Sequence, residues 1–353
     1  MTAQPTPPGA TMPLMRTPPG VDGYGWAYHG NSADLGPRGA AMRGLYAGPV
    51  IDPHHHLWDL SLRRHPWLSA EAVRDPAADS VAAIRRSYCV DDYLQDARGQ
   101  NIVATVHIEA NWSEVHVEDE SRWLRTLKRR GGVARRHVAR VPLHWPDAAQ
   151  RLQAEAEDPD CVGIRDIVSW HPDAAKSFVA APDMLDDPAW RRGLAALAPL
   201  GLVFDLMLFP WQLAQATRLA AAFPETLFVL NHCGSPVDRT AAGMQLWRDG
   251  LTAIGRADNV IVKISDPVAY DTEWTFDSLR QVIEHCLSCF GTRRAMFASD
   301  FPVTGLHATF AEIYDVFRRV ASGLSAAEQR DLFFGTANRT YRLGLDANLQ
   351  VNE

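Results

Sequence analysis

From residue 49 onward, short apolar runs rich in β-branched residues alternate with longer stretches whose apolar positions recur at helical spacing. The short runs are PVIDPHHHLW (49–58), IVATVHIEAN (102–111), ARRHVARVPL (134–143), CVGIRDIVSW (161–170), GLVFDLMLF (201–209), TLFVLNHCG (226–234), NVIVKISD (259–266) and AMFASDFPV (295–303). Their centres recur roughly every 25 to 50 residues, the spacing of parallel strands that are each followed by a crossover helix. Between them, DDPAWRRGLAALAPLG places Asp187 as a cap, Pro188 in the first turn, Trp190, Leu194 and Leu197 on one face, and Gly201 past the end. FDSLRQVIEHCLSCFG repeats the pattern before Gly291. A closed parallel barrel has no wet face, so its strands read as near-continuous apolar runs, as these do. The pattern predicts an α/β protein, a single (β/α)8 TIM barrel spanning 49–345.

Residues 1–48 are rich in Pro, Gly and Ala and carry no sustained period, which predicts an irregular N-terminal arm ahead of a barrel domain at 49–353. The aromatics of GYGWAY in that arm are compatible with packing across a second subunit, as in a homodimer.

Composition narrows the partners. The 353 residues are 46% hydrophobic and 22% charged, within the globular range. A formal net charge of −7 gives no footprint for nucleic acid or an anionic membrane, so a small-molecule substrate is expected. No basic start precedes an apolar stretch and no run reaches membrane-spanning length, which predicts a cytoplasmic protein. The five cysteines form neither a paired framework nor a zinc-ribbon spacing, and Cys286 and Cys289 fit the apolar face of a helix.

Barrel enzymes build their sites at the C-terminal ends of the strands, so the polar residues late in each run carry the chemistry. His54 and His56 are two apart and therefore share one side of the first strand, with His55 opposite. Glu109 ends the second strand, with His107 one step deeper on the same side; Arg165, His232, Lys263 and Asp300 follow on later strands. Burying an unpaired ion costs several kcal/mol, to an order of magnitude, so such groups are paired or used. The structural alternatives pair Lys263 with Glu109 or Asp300, and Arg165 with Asp166 or Asp205. Trp58, Trp112, Trp170 and Trp211 lie just past strands, as loop anchors or, with Phe209 and Phe301, as walls of an apolar pocket.

These residues resemble a known family. IDPHHHLWD (51–59) is similar to the opening motif of the amidohydrolase-related (amidohydrolase 2) proteins of the amidohydrolase superfamily, barrel hydrolases that include sugar lactonases and pyrone-dicarboxylate lactonase. The likeness continues through GIR (163–165), NHCGSP (231–236), VIVKIS (260–265), ASDFP (298–302) and GTANRTYRL (335–343). It implies a hydrolytic site made by His54, His56, His232 and Asp300. The chain departs from the family pattern where Asn231 replaces an Asp, where Asp266 replaces a common Gly, and in its long N-terminal arm.

Two forms of the site follow. In one, a single divalent ion, zinc or manganese, is held by His54, His56 and Asp300, with Glu109 or His232 as a fourth ligand. Arg165 stands where binuclear members carry a bridging Lys or carboxylate, which disfavours a second metal there. In the other, metal-independent form, the histidines and Arg165 hold the carbonyl and the developing oxyanion. Both make Asp300 the general base and His232 the group that polarises the carbonyl. The candidate substrate-binding residues are Arg165, Glu109, Trp58, Trp112 and Lys263, with Arg165 suited to a substrate carboxylate. No G-x-S-x-G is present, which disfavours an acyl-enzyme. The expected activity is lactone opening, of a sugar acid or a ring-cleavage product. The alternatives are an amide or cyclic-imide hydrolase, a non-oxidative decarboxylase, which the absence of a fifth-strand histidine disfavours, and a catalytically silent binding protein.

Overall fold

The computed structural model describes residues 44–346, apart from 70, 71, 73–79 and 128. Eight strands run parallel in sequence order: β1 (Val50–His55), β2 (Ile102–Ile108), β3 (Arg136–Arg140), β4 (Cys161–Arg165), β5 (Val203–Leu206), β6 (Phe228–Leu230), β7 (Val260–Ser265) and β8 (Ala295–Ala298). A helix follows each: α1 (Val90–Asp96), α2 (Asp119–Thr126), α3 (Ala148–Ala156), α4 (Pro188–Ala195), α5 (Leu213–Ala222), α6 (Ala241–Ile254), α7 (Phe276–Phe290) and α8 (Phe310–Ala321). The expected (β/α)8 barrel is present, and every strand lies inside its apolar run. The strands are shorter than the runs because the polar ends leave the ladder. His56, Glu109 and Asp300 sit just beyond β1, β2 and β8.

β1 meets β8 through the residues past its end. The Asp300 N–H donates to the His54 carbonyl at 2.8 Å and the His56 N–H to the Phe301 carbonyl at 2.8 Å. The barrel interior is packed by Ile51, Ala104, Val106, Ile108, Val138, Val162, Val203, Val229 and Met296, and its floor is corked by Phe334, Ala337, Tyr341 and Leu343. The cork comes from the π-helical turn Asp331–Gly335 and the segment after it. A second, larger layer lies between strands and helices, where α7 contributes Leu279, Val282, Ile283, Cys286 and Phe290. Each such side chain contributes about 1.5–3 kcal/mol when fully buried.

Helix α4 starts as its sequence predicts, with the Asp187 carboxylate accepting from the Trp190 N–H at 2.8 Å and Pro188 in the first turn. It ends earlier than Gly201: Pro199 cannot supply an N–H, and a tight turn, Ala198–Leu200, bridges to Gly201 at φ 68°.

Most of the predicted arm, including GYGWAY, lies outside the described residues, as do residues 347–353. Its last part is anchored: the Tyr46 ring stacks on Phe333 at 4.6 Å and its carbonyl accepts from Arg318 Nε at 3.1 Å. Among the described residues no helix is long and apolar enough to cross a membrane.

Candidate active site

Alternation along β1 sends His54 and His56 to one side, and both Nε2 atoms lie 3.1 Å from Asp300 Oδ1. His55 points the other way, its Nε2 2.7 Å from the Thr105 hydroxyl. All five are buried. One ligand atom each from His54, His56 and Asp300 falls within 4.8 Å of the others, an arrangement that fits a divalent ion. The His56 Nδ1 lies 2.8 Å from the Ile108 carbonyl, which can only accept, so Nδ1 carries the proton and Nε2 presents its lone pair. His54 Nε2 is close to Asp300 yet makes no hydrogen bond, a buried nitrogen left for another partner. Its Nδ1 lies 3.5 Å from Lys263 Nζ.

Asp300 is buried, and that burial pushes its carboxyl up to about 7 against the pull of Arg165. Burial also lowers the histidines: His56 to about 3, with Arg165 adding to it, and His54 and His232 well below their ordinary value. The imidazoles are therefore neutral, the form that ligates a metal. Asp266 shares a hydrogen bond with Asp300, and burial together with the Asp300 charge raises it well above the carboxylate range. Its Oδ1 accepts from the Thr304 hydroxyl at 2.8 Å.

His232 follows β6. The Ser265 Oγ accepts from the His232 backbone N–H at 3.3 Å and lies 3.0 Å from its Nδ1. A hydroxyl that accepts this N–H can donate its own proton to Nδ1, the arrangement that holds the His232 proton on Nε2. Nδ1 stands 4.0 Å from Asp300 Oδ2.

The buried cations are paired differently from the sequence-based alternatives. Arg165 donates to Glu109, Nε to Oε1 and Nη2 to the carbonyl, both at 2.6 Å. The bidentate face expected to grip a substrate carboxylate is thus occupied by Glu109. Burial alone would raise Glu109, but Arg165 and Arg140 outweigh it and hold the carboxylate low. Glu109 stands outside the His54, His56 and Asp300 ligand group, its second oxygen taken by the Asn111 N–H at 2.8 Å. Lys263 reaches across the interior to Asp205 Oδ1 at 2.5 Å, and burial lowers its ammonium to about 8. Asp205 also accepts from Asn231 Nδ2 at 2.9 Å and the Tyr341 hydroxyl at 2.9 Å. Asn231, the departure from the family pattern, therefore serves as a donor to a carboxylate, which an Asp could not do when ionised.

The structure places Trp58 and Trp112 in packing positions. Trp58 is fully buried behind His56 and donates its indole N–H to the Arg86 carbonyl at 2.6 Å. Trp112 packs edge-on against His65, with ring centroids 5.3 Å apart. Trp211, Phe209 and His171 form a separate aromatic cluster after β4 and β5. Sequence reasoning assigned no role to Asp52, which accepts from Ser299 N at 2.8 Å, Ser299 Oγ at 2.6 Å and the Tyr93 hydroxyl at 2.7 Å, tying β1 to the Asp300 loop. A register shift between Asp52 and His55 turns its carboxylate to the Tyr93 side, which His55 also faces, and simple alternation along the run does not signal this.

Backbone strain gathers here too. Among the described residues, Asn111, His232, Cys233, Ser235, Asp266 and Asp300 all adopt left-handed φ between 44° and 56°. Such conformations persist for non-glycine residues where the surroundings over-determine them, commonly at functional sites.

A parallel barrel with His54 and His56 at the end of its first strand and an aspartate after its eighth supports an enzyme of the hydrolase class. The chain belongs to the amidohydrolase family, whose model matches residues 51–343. It is 34% identical over 294 residues to an uncharacterized protein, y4mH, of Sinorhizobium fredii, covering 83% of this chain and 98% of that one. It is 28% identical over 313 residues to L-fucono-1,5-lactonase of Burkholderia multivorans, covering 85% and 98%. A solved amidohydrolase from Burkholderia multivorans with bound zinc superposes with a TM-score of 0.71 at 27% identity, covering 83% of this chain and 99% of that one.

Proposed function

We propose that this protein opens a lactone ring by direct attack of water, with one divalent ion, zinc or manganese, held by His54 Nε2, His56 Nε2 and Asp300 Oδ1. The observation that carries the reading is the convergence of these three ligand atoms at the mouth of the barrel. The likeness to a lactonase and to a zinc-bound amidohydrolase supports it. When bound, such an ion lowers the pKa of a coordinated water and polarises a carbonyl.

The chain's own residues do the rest. Asp300 takes the proton of the attacking water on Oδ2 and delivers it to the leaving ring oxygen, so one proton is released when the product acid ionises. His232 donates from Nε2 to the carbonyl oxygen, with its tautomer set by Ser265. Arg165, held by Glu109 through Nε and Nη2, offers Nη1 to a substrate oxygen. Lys263, held by Asp205, packs against the Nδ1 edge of His54 at 3.5 Å.

The test is proton release from a panel of sugar lactones and aromatic-derived lactones, with wild type and Asp300→Asn, in metal-free buffer and with zinc or manganese added. Turnover by wild type with metal, lost in Asp300→Asn, supports the reading. If no lactone is opened under any metal condition while the protein is folded, the reading fails, and amide substrates become the next panel.

A further inference from the structure

A second group of ligand-type side chains lies far from the barrel mouth. His137 is the second residue of β3, Cys161 the first of β4, and Glu155 lies on α3 near its C-terminal end. His137 and Cys161 are partners in the β3–β4 ladder. Val138 faces the barrel interior, so alternation turns His137 outward, into the layer between the strands and the helices. The three are buried, and one ligand atom from each lies within 4.8 Å of the others.

Ordinary packing leaves this group unsatisfied. His137 is 1% exposed, and neither ring nitrogen has a hydrogen-bond partner. A buried polar atom left this way costs about 1–3 kcal/mol. The Cys161 thiol has only weak backbone contacts, 3.6 Å to the Gly163 carbonyl and another to Ala139. Glu155 receives the Ser121 hydroxyl at 2.8 Å on Oε2. An imidazole, a thiol and a carboxyl brought together without bonding one another are a donor set awaiting a central atom. Zinc binds N, O and S ligands at about 2.0–2.3 Å, which puts tetrahedral ligand atoms about 3.3–3.8 Å apart. With its ligand atoms within 4.8 Å of one another, the group closes on such an ion by tightening at most about 1.5 Å.

We propose that His137, Glu155 and Cys161 form a second, structural metal site on the outer wall of the barrel, selective for zinc or a similar thiolate-binding divalent ion. The thiolate excludes magnesium and calcium as preferred occupants. Binding displaces the Cys161 proton, and the Glu155 proton where it is present, to solvent. The imidazole is already neutral, because burial lowers it to about 4. The ion then carries charge opposite to that of its two anionic ligands, and water completes the coordination. The ion would clamp α3 to β3 and β4. This proposal does not depend on the activity assigned to the barrel mouth.

The experiment uses the full chain, stripped with a chelator and reloaded. In a His54→Asn/Asp300→Asn double variant, which removes two of the three mouth ligands, zinc analysis after desalting should still find one ion per chain. Cobalt loading of that variant should give the near-ultraviolet sulfur-to-metal absorption that a site of imidazoles and a carboxylate cannot give. Adding Cys161→Ser should abolish both. Cys161→Ser alone should bind one zinc fewer than wild type while keeping its turnover. Failure of the double variant to hold zinc, or survival of the absorption in the Cys161→Ser background, overturns the proposal. Should the serine variant fold poorly, the metal content and cobalt spectrum of the double variant decide the matter by themselves.

Discussion

The backbone N–H of Asp300 donates to the carbonyl of His54 at 2.8 Å, and the side chains of the same two residues meet at 3.1 Å. The hydrogen bond that closes the barrel seam and the contact that builds the site belong to one pair. Asp300 reaches this position with φ 56°, a conformation Asp and Asn tolerate better than most residues. Seam and site therefore stand or fall together.

Asp300→Asn preserves both the backbone bond and the left-handed conformation while removing the base. The expected outcome is a loss of about 10²–10⁴-fold in kcat with an unchanged far-ultraviolet circular dichroism spectrum. A variant that retains near-wild-type turnover would remove Asp300 from the proton transfer.

Ser265→Ala takes away the hydroxyl that faces His232 Nδ1 at 3.0 Å. We expect kcat to fall about 10–100-fold, as with other supports of ligating or catalytic histidines, with little change in thermal stability. An unchanged kcat would show that His232 keeps its tautomer without Ser265.

Lys263 and Asp205 are both fully buried. Lys263→Met leaves the Asp205 carboxylate without its cation, and urea unfolding should show about 3–5 kcal/mol lost. Lys263→Met combined with Asp205→Leu should cost less than the sum of the single changes, since no uncompensated charge remains. Additive losses would mean that the two groups do not act as a pair.

Acid should unfold the protein through its buried imidazoles. Burial lowers His65 from 6.5 to about 4, so its neutral form is favoured in the fold. The corresponding stability is present above pH 6.5 and is lost as pH falls from 6.5 toward 4, because the unfolded chain binds the proton more readily. His65 sits between Trp58 and Trp112 with neither nitrogen hydrogen-bonded. His65→Phe should be at least as stable at pH 7 and should show a shallower fall of Tm between pH 6.5 and 4. A slope equal to that of wild type would contradict this.

Much of the architecture was legible because strand and helix signals are local. The apolar runs located all eight strands, and alternation put His54 and His56 on one side with His55 opposite. Pairing among buried charges was not legible, since it depends on which side chains reach across the interior. The sequence offers Lys263 the partners Glu109 or Asp300, and Arg165 the partners Asp166 or Asp205; the fold gives Lys263 to Asp205 and Arg165 to Glu109. Trp58 lies past its strand, as a pocket wall would, but an isolated bridge to Tyr88 turns it into the packing layer. The spacing of His137, Glu155 and Cys161 matches no metal motif, because a ladder and a helix, and no short loop, bring them together.

The cork of the barrel has a consequence for how the molecule comes into being. Tyr341, which donates to Asp205 from the floor, is translated 136 residues after its partner. A nascent chain emerges with its mouth histidines first and its floor last. Until the final segment docks, Asp205 lacks that hydroxyl, Lys263 lacks the Tyr341 ring, and the floor lacks Phe334, Ala337, Tyr341 and Leu343. Competence is thus a late event in biosynthesis, conferred by the last part of the barrel to be made.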